Sequence, residues 1–387
     1  MGGFFFEIFK TPEDHFKWEN HFEFIRRNPE MEESLRSEVL QAFLFFRKEF
    51  GNDLIKNHYY NNHPVVSAIQ NKAPWSLKWL VNLHSSLKFY KGVNCNYKRI
   101  LPKMLSAQYC THEGIPFIGI ADDYRKRGLN VAFEPDVLSI KKPDLEVSDI
   151  ASEERIYLEV SMQIKSAQRS HDGKLYSTLI DQFLIVPPGL PFTGKMFQSF
   201  SFEELNSLCS EIHFRKQTAF ENESIVSYKN EMIELFVAHP NRFSELQAIA
   251  DEKNYRINNI QSLPLVIDEF ERIRGRKIKE EAKQIPAESY GIIYFIIEPT
   301  YRLGYDPLDD MLNIQKKLEE FPNIIGVSIQ SEWLNQGEDI LIHEADILFR
   351  RKMFWNALQQ ETFFVINRQA ASCISPEMFS KIIESFK

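Results

Sequence analysis

The chain has 387 residues, with 46 lysines and arginines against 54 aspartates and glutamates, giving a net charge of −8. Hydrophobic residues make up 43% and charged residues 26%, which excludes a disordered chain and leaves enough apolar material for two or three domains or one elaborated one. The acidic balance excludes a global positive field, so any nucleic-acid contact must come from a local basic surface.

Other gross features narrow the class further. The longest apolar runs, such as 291–297, are far too short to span a bilayer, so no membrane partner is expected. Met-Gly-Gly followed by three phenylalanines lacks the basic region and long apolar stretch of a secretory signal. Cys95, Cys110, Cys209 and Cys373 form no CxxC pair, so reduced thiols and a cytoplasmic location are expected.

Residues 1–95 read as a helical region. Leu35, Val39, Phe43, Phe46 and Phe50 recur at helical spacing on a helix over 34–50 that stops at Gly51, and a second helix is expected over 74–89. The tract 58–64 is a polar connector ending in a proline. From about residue 98 the texture changes. Helical patterns over 98–112 and 117–127 end at Gly128, and three strand-like runs follow at 129–133, 144–147 and 156–163.

Residues 96–165 are thus the first part of an α/β core, and 166–256 reads as an insertion. Pro187-Pro188-Gly189 punctuates it, and Ser201 with Glu204 forms a capping box. The second part of the core, with an α/β extension, occupies 257–387. It comprises a long helix from 263 to 284, a buried strand over 291–297, a helix over 307–320, and strands near 324–329, 340–349 and 363–366. Continuous apolar strands alternating with helices predict a mixed central sheet covered on both faces.

The chemistry concentrates in the second and third strands of the core. Pro143-Asp144 opens one, and Glu159 sits at the apolar centre of the other, where an uncompensated carboxylate is costly. Strand alternation sets Glu159, Ser161, Gln163 and Lys165 along one face. If the hairpin pairs, Asp144 and Glu159 converge at one end. Two carboxylates and the Val160 carbonyl would leave room for water around Mg2+ or Mn2+. Pro135-Asp136 is a second, weaker Pro-Asp. Cys95, Cys110 and His112 lack a fourth zinc ligand nearby.

This pattern resembles the PD-(D/E)XK, or restriction-endonuclease-like, nuclease superfamily. The resemblance implies that Asp144 and Glu159 ligate the metal, and it places the family's lysine at position 161, where this chain has Ser161. Gln163, Lys165, Lys279 and Lys283 are the candidates to take over that role. Lys165 lies six residues past Glu159, about 20 Å along an extended strand. The basic helix near 271–284 brings Arg272, Arg274, Arg276 and Lys277, which the resemblance makes contacts to a nucleic-acid backbone.

The implied function is metal-dependent hydrolysis of DNA, or of RNA, in restriction or host defence, with a protein partner or a second copy as companion. The alternative is a catalytically degenerate module on the same fold that binds nucleic acid or a protein partner.

Overall fold

The computed structural model describes residues 7–93, 95–135, 143–163, 167–261, 268–297, 308–332, 346–353 and 359–386. Two compact units emerge. One comprises 1–163 with most of 273–387, and the other is centred on Ile164–Arg272.

In the first unit, helices α1 (Trp18–Arg27) and α2 (Glu33–Phe50) pack through aromatic side chains. Val39, Phe43, Phe46 and Phe50 form the buried stripe of α2, and Trp18 and Phe22 of α1 meet Phe43 edge-on. The helix ends where Gly51 takes a φ of 94°, a left-handed conformation that glycine adopts without Cβ strain. Helices α3 (Pro64–Asn71) and α4 (Pro74–Gly92) each open on proline, which tolerates the first turn because no intrahelical N–H is needed there.

One helix was expected over 98–112, but the chain breaks it. Helix α5 (Tyr97–Leu105) stops at Ser106, whose hydroxyl caps the next turn by accepting from the Tyr109 N–H at 3.4 Å. A π-helical turn, Cys110–Gly114, then leads into α6 (Ile115–Arg125), and Gly128 follows at a φ of 78°. Asp122 and Asp123 on α6 are tied down rather than simply solvated. Asp122 accepts from the Tyr90 hydroxyl at 3.0 Å and from Arg125 at 3.1 Å, and Asp123 pairs with Arg350 at 3.1 Å.

Strands β1 (Asn130–Phe133), β2 (Leu145–Ser148) and β3 (Arg155–Gln163) run antiparallel in sequence order. The chain then leaves for the second unit. It contains α7 (Ala167–Leu184), β4 (Phe192–Met196), α8 (Phe202–Glu221), β5 (Ile225–Lys229), β6 (Ile233–Ala238), α9 (Phe243–Lys253) and β7 (Asn259–Gln261). Its four strands are ordered β5-β6-β4-β7 over a core that includes Phe183, Phe192, Leu208 and Leu235. The Ser201 capping box forms, with the Ser201 N–H donating to Glu204 at 2.7 Å. Lys216 of α8 is fully buried and donates to the carbonyls of Gln182 and Val186 around the end of α7, where a cation also complements the helix dipole.

The return path is α10, a helical segment over 268–284 built from Asp268–Arg272, a π-turn at Ile273–Lys277, Ile278–Glu281 and a final 3-10 turn at Ala282–Gln284. Residues 263–267, expected to begin this helix, lie outside the described residues. Then come β8 (Tyr290–Ile297), α11 (Leu308–Leu318), β9 (Ile324–Glu332), β10 (Ile347–Met353), β11 (Gln359–Ile366) and α12 (Pro376–Ser385). The strand expected near 340–349 begins at Ile347 among the described residues, and the one expected at 363–366 starts earlier, at Gln359.

The seven strands of the first unit make one mixed sheet in the order β1-β2-β3-β8-β9-β11-β10. Pairing is parallel through β3, β8 and β9 and antiparallel on both flanks. Ile292 and Tyr294 of β8 join the core built with the N-terminal helices, while Ile293 and Phe295 are equally buried on the opposite face. Two-sided burial is why these strands read as unbroken apolar runs. The helices of the first 93 residues share this one core and do not build one of their own. Among the described residues, no helix is long and apolar enough to cross a membrane.

Two stability predictions follow from these contacts. His63 is fully buried beside the Met104 carbonyl, 3.0 Å from its Nε2, and burial pushes its pKa down to about 4 from 6.5. The unfolded chain therefore protonates first, and stability present above pH 6.5 is lost as pH falls towards 4, by roughly 3 kcal/mol. Urea titrations at stepped pH should show this decline flattened in His63→Gln, which cannot titrate. Lys216→Met leaves the Gln182 and Val186 carbonyls without their donor and should lower the stability of the second unit by about 1–3 kcal/mol in the same assay.

Candidate functional site

Leu145 pairs with Leu158 and Glu146 with Tyr157, so continuing the register by one residue sets Asp144 opposite Glu159. Leu145, Val147, Ile156 and Leu158 are all fully buried, which pins this register because a one-residue slip would turn all four outward. Glu159 is itself buried, on the face of β3 opposite Leu158 and Val160.

Asp144 lies in a bend just before β2, and its Oδ2 accepts the Val160 N–H at 2.9 Å. A residue's N–H and C=O leave an extended strand on the same side, so the Val160 carbonyl faces the same edge, beyond the last β2 pair. Asp144, Glu159 and Val160 therefore meet at one corner of the sheet.

Burial pushes the Asp144 carboxyl well above the usual carboxylate range, to about 7. The Val160 N–H and the Lys103 charge work against that rise, while Glu113 and Glu134 add to it. Lys103, on α5, is the counterion of this group. It is 3.2 Å from Glu134, also bonds Glu113 of the π-turn, and lies 5.0 Å above the Phe117 ring. Burial disfavours the Lys103 ammonium, but Glu113 and Glu134 outweigh it and raise its pKa.

The Ser161 hydroxyl donates to Glu281 of α10 at 2.9 Å and accepts from the Gln163 side chain at 2.9 Å. Lys277 sits 4.0 Å from the same Glu281 oxygen and 2.9 Å from Glu280. Lys277 is thus a cation that α10 brings to this side. Lys279 and Lys283, expected there, are exposed, because Ile278 and Ala282 are the residues that turn inward. Arg276 is exposed and pairs with Glu280 at 3.1 Å, as an i,i+4 helix pair does. Arg272 and Arg274 are half-buried. Lys165 and Asp136 lie outside the described residues.

Sequence reasoning missed Lys103, Glu113, Glu134 and Glu281. Glu113 follows directly on the Cys110-Thr111-His112 stretch that drew notice for its ligand types. Cys110 is buried, its thiol pushed up to about 12 by burial. Among the described residues, no group of three or more His, Cys, Asp or Glu side chains is placed to hold a metal by itself. A cation at the Asp144 corner would use the two carboxylates and a backbone carbonyl.

No family model, no curated protein and no solved structure matches this chain. The class of protein that the fold defines is a mixed α/β protein with a seven-stranded mixed sheet flanked by helices.

The Ser161 hydroxyl is the hinge of the contact between β3 and α10. Ser161→Ala should cost about 1–2 kcal/mol in chemical denaturation, since it leaves Glu281 and Gln163 to find other partners.

Proposed function

We propose that this protein is a metal-dependent phosphodiesterase of the PD-(D/E)XK type acting on DNA. The observation that carries the reading is the register opposition of Asp144 and Glu159, with the Val160 carbonyl on the same edge. The order of elements supports it: a helix, three antiparallel strands, a helix, and a fourth strand parallel to the third, with the second unit inserted in the crossover. Restriction or host defence is the setting that the family resemblance suggests.

The donor set fits a hard divalent cation. It is all oxygen, and the raised pKa of Asp144 reflects above all its burial, a desolvation that a bound cation would offset. Mg2+ or Mn2+ held by Asp144, Glu159 and the Val160 carbonyl would supply Lewis acidity to the phosphate and a bound water.

The chain's own residues do the rest. Ser161 fixes Glu281, Lys277 lies 4.0 Å from that carboxylate, and its ammonium would offset charge on the phosphate oxygens. Lys277 thereby takes the role of the lysine absent at 161. Gln163 orients the Ser161 hydroxyl.

The second reading is a module of the same fold without catalysis, which binds nucleic acid or a protein partner. It is favoured by Ser161, whose hydrogen bonds to Glu281 and Gln163 occupy the lysine's place.

Cleavage of supercoiled plasmid, linear duplex and single-stranded DNA with Mg2+ or Mn2+ separates the two. Asp144→Ala and Glu159→Ala should each lose at least about 100-fold in rate, and Lys277→Ala roughly 10- to 1000-fold. Adding Ser161→Lys to Lys277→Ala should recover part of that loss. Undiminished cleavage in Asp144→Ala would sink the assignment of the site. A folded wild type that cuts none of the three substrates would favour the binding module.

A further inference from the structure

A cleft of about 470 Å³ opens between the 58–62 loop and the 106–112 turns, a volume suited to a small planar ligand. Among the described residues, no lysine, arginine, aspartate or glutamate lines it. The walls are formed chiefly by His58, Asn61, Asn62, Gln108, Thr111 and His112. Asn61 donates to the Asn57 carbonyl at 3.3 Å and Thr111 to Ala107 at 3.1 Å, which leaves their oxygens as acceptors. Buried Nδ1 of His58 has no hydrogen-bond partner, and the same holds for Nδ1 of fully buried His63, whose ring centroid lies 4.8 Å from that of His58.

These walls select by chemistry. A phosphate is best held by the guanidinium or ammonium groups of arginine and lysine, and no described wall residue carries one. An acyl chain would need a continuous apolar lining, and seven of the eight described wall residues, all but Ala107, carry an imidazole, a carboxamide or a hydroxyl. Carboxamides match the paired donor and acceptor on a base edge, and imidazole faces stack on bases. What fits is a neutral, flat, heteroatom-edged ring.

Position adds the second argument. Thr111 and His112 belong to the π-turn Cys110–Gly114, whose next residue, Glu113, acts on Asp144. The turn that lines the cleft therefore also carries a charge that acts on Asp144. In a duplex the base is stacked and paired, so only an unpaired or extruded base can enter. The geometry points to a nucleobase subsite in this cleft that makes single-stranded DNA the preferred substrate. The link to cleavage rests on the nuclease reading, whereas base binding itself does not.

The test is fluorescence anisotropy of the full chain in EDTA, where nothing is cut, with a short fluorescein-labelled single strand and the duplex of the same sequence. The single strand should bind more tightly. Gln108→Ala and His112→Ala, at exposed and half-exposed positions that the fold tolerates, should each weaken it by roughly 5- to 100-fold and leave duplex binding unchanged. Adenosine added to wild type should shift the imidazole resonances of His58 and His112 and spare His213. Equal affinity of wild type and both variants for the single strand would overturn the subsite, as would the absence of any adenosine-induced shift. Loss of cleavage without loss of binding would instead strike only the nuclease reading.

Discussion

The pairing of β2 with β3 is the constraint on which the site depends. Two strands of four and nine residues are held in one register by four fully buried aliphatic side chains, and that register alone brings Asp144 across from Glu159. Because side chains alternate along a strand, the same packing that buries Leu158 on one face commits Glu159 to the other. A costly carboxylate position is thus a direct consequence of an apolar one. Parallel pairing of β3 with β8 then backs the corner with a strand buried on both faces, which keeps it rigid.

Charge around the corner is arranged in two layers. Lys103 on α5 meets Glu113 and Glu134, and burial keeps the pKa of Asp144 raised despite the Lys103 charge. Further along β3, Ser161 ties Glu281 in place, and Lys277 lies 4.0 Å from that carboxylate. Neither layer is a surface ion pair of the kind that contributes little; both lie where side chains are partly withdrawn from water, so Coulomb terms keep their strength. Glu280, by contrast, absorbs part of the positive charge of α10 by pairing with Arg276 and Lys277. That pairing reduces the basic field that composition had suggested for the helix.

Much of the architecture was legible because burial leaves a periodic trace. The 3.6-residue stripe of α2, the glycine that ends it, the capping box at Ser201 and the unbroken apolar run of β8 each report a local rule. Legibility failed where a local irregularity interrupted the periodic pattern. Ser106 interrupts a helical stretch to cap the next turn, and a π-turn at 273–277 rotates the rest of α10. That rotation bears on which lysine approaches the strands. Lys279 and Lys283 share a face by spacing, but the face is the exposed one, and Lys277 is the residue beside Glu281.

By itself the sequence determined the alternation of strands and helices and the hairpin that carries Asp144 and Glu159, because these depend on residue type and short spacing. Only the tertiary structure decided that Glu113, Glu134 and Lys103 gather around Asp144, that Glu281 grips Ser161 across 120 residues of chain, and that the polar 58–62 and 106–112 segments face one cleft. Such groupings arise from the packing of segments far apart in the chain. No local spacing encodes them, because their partners are chosen by the shape of the common core.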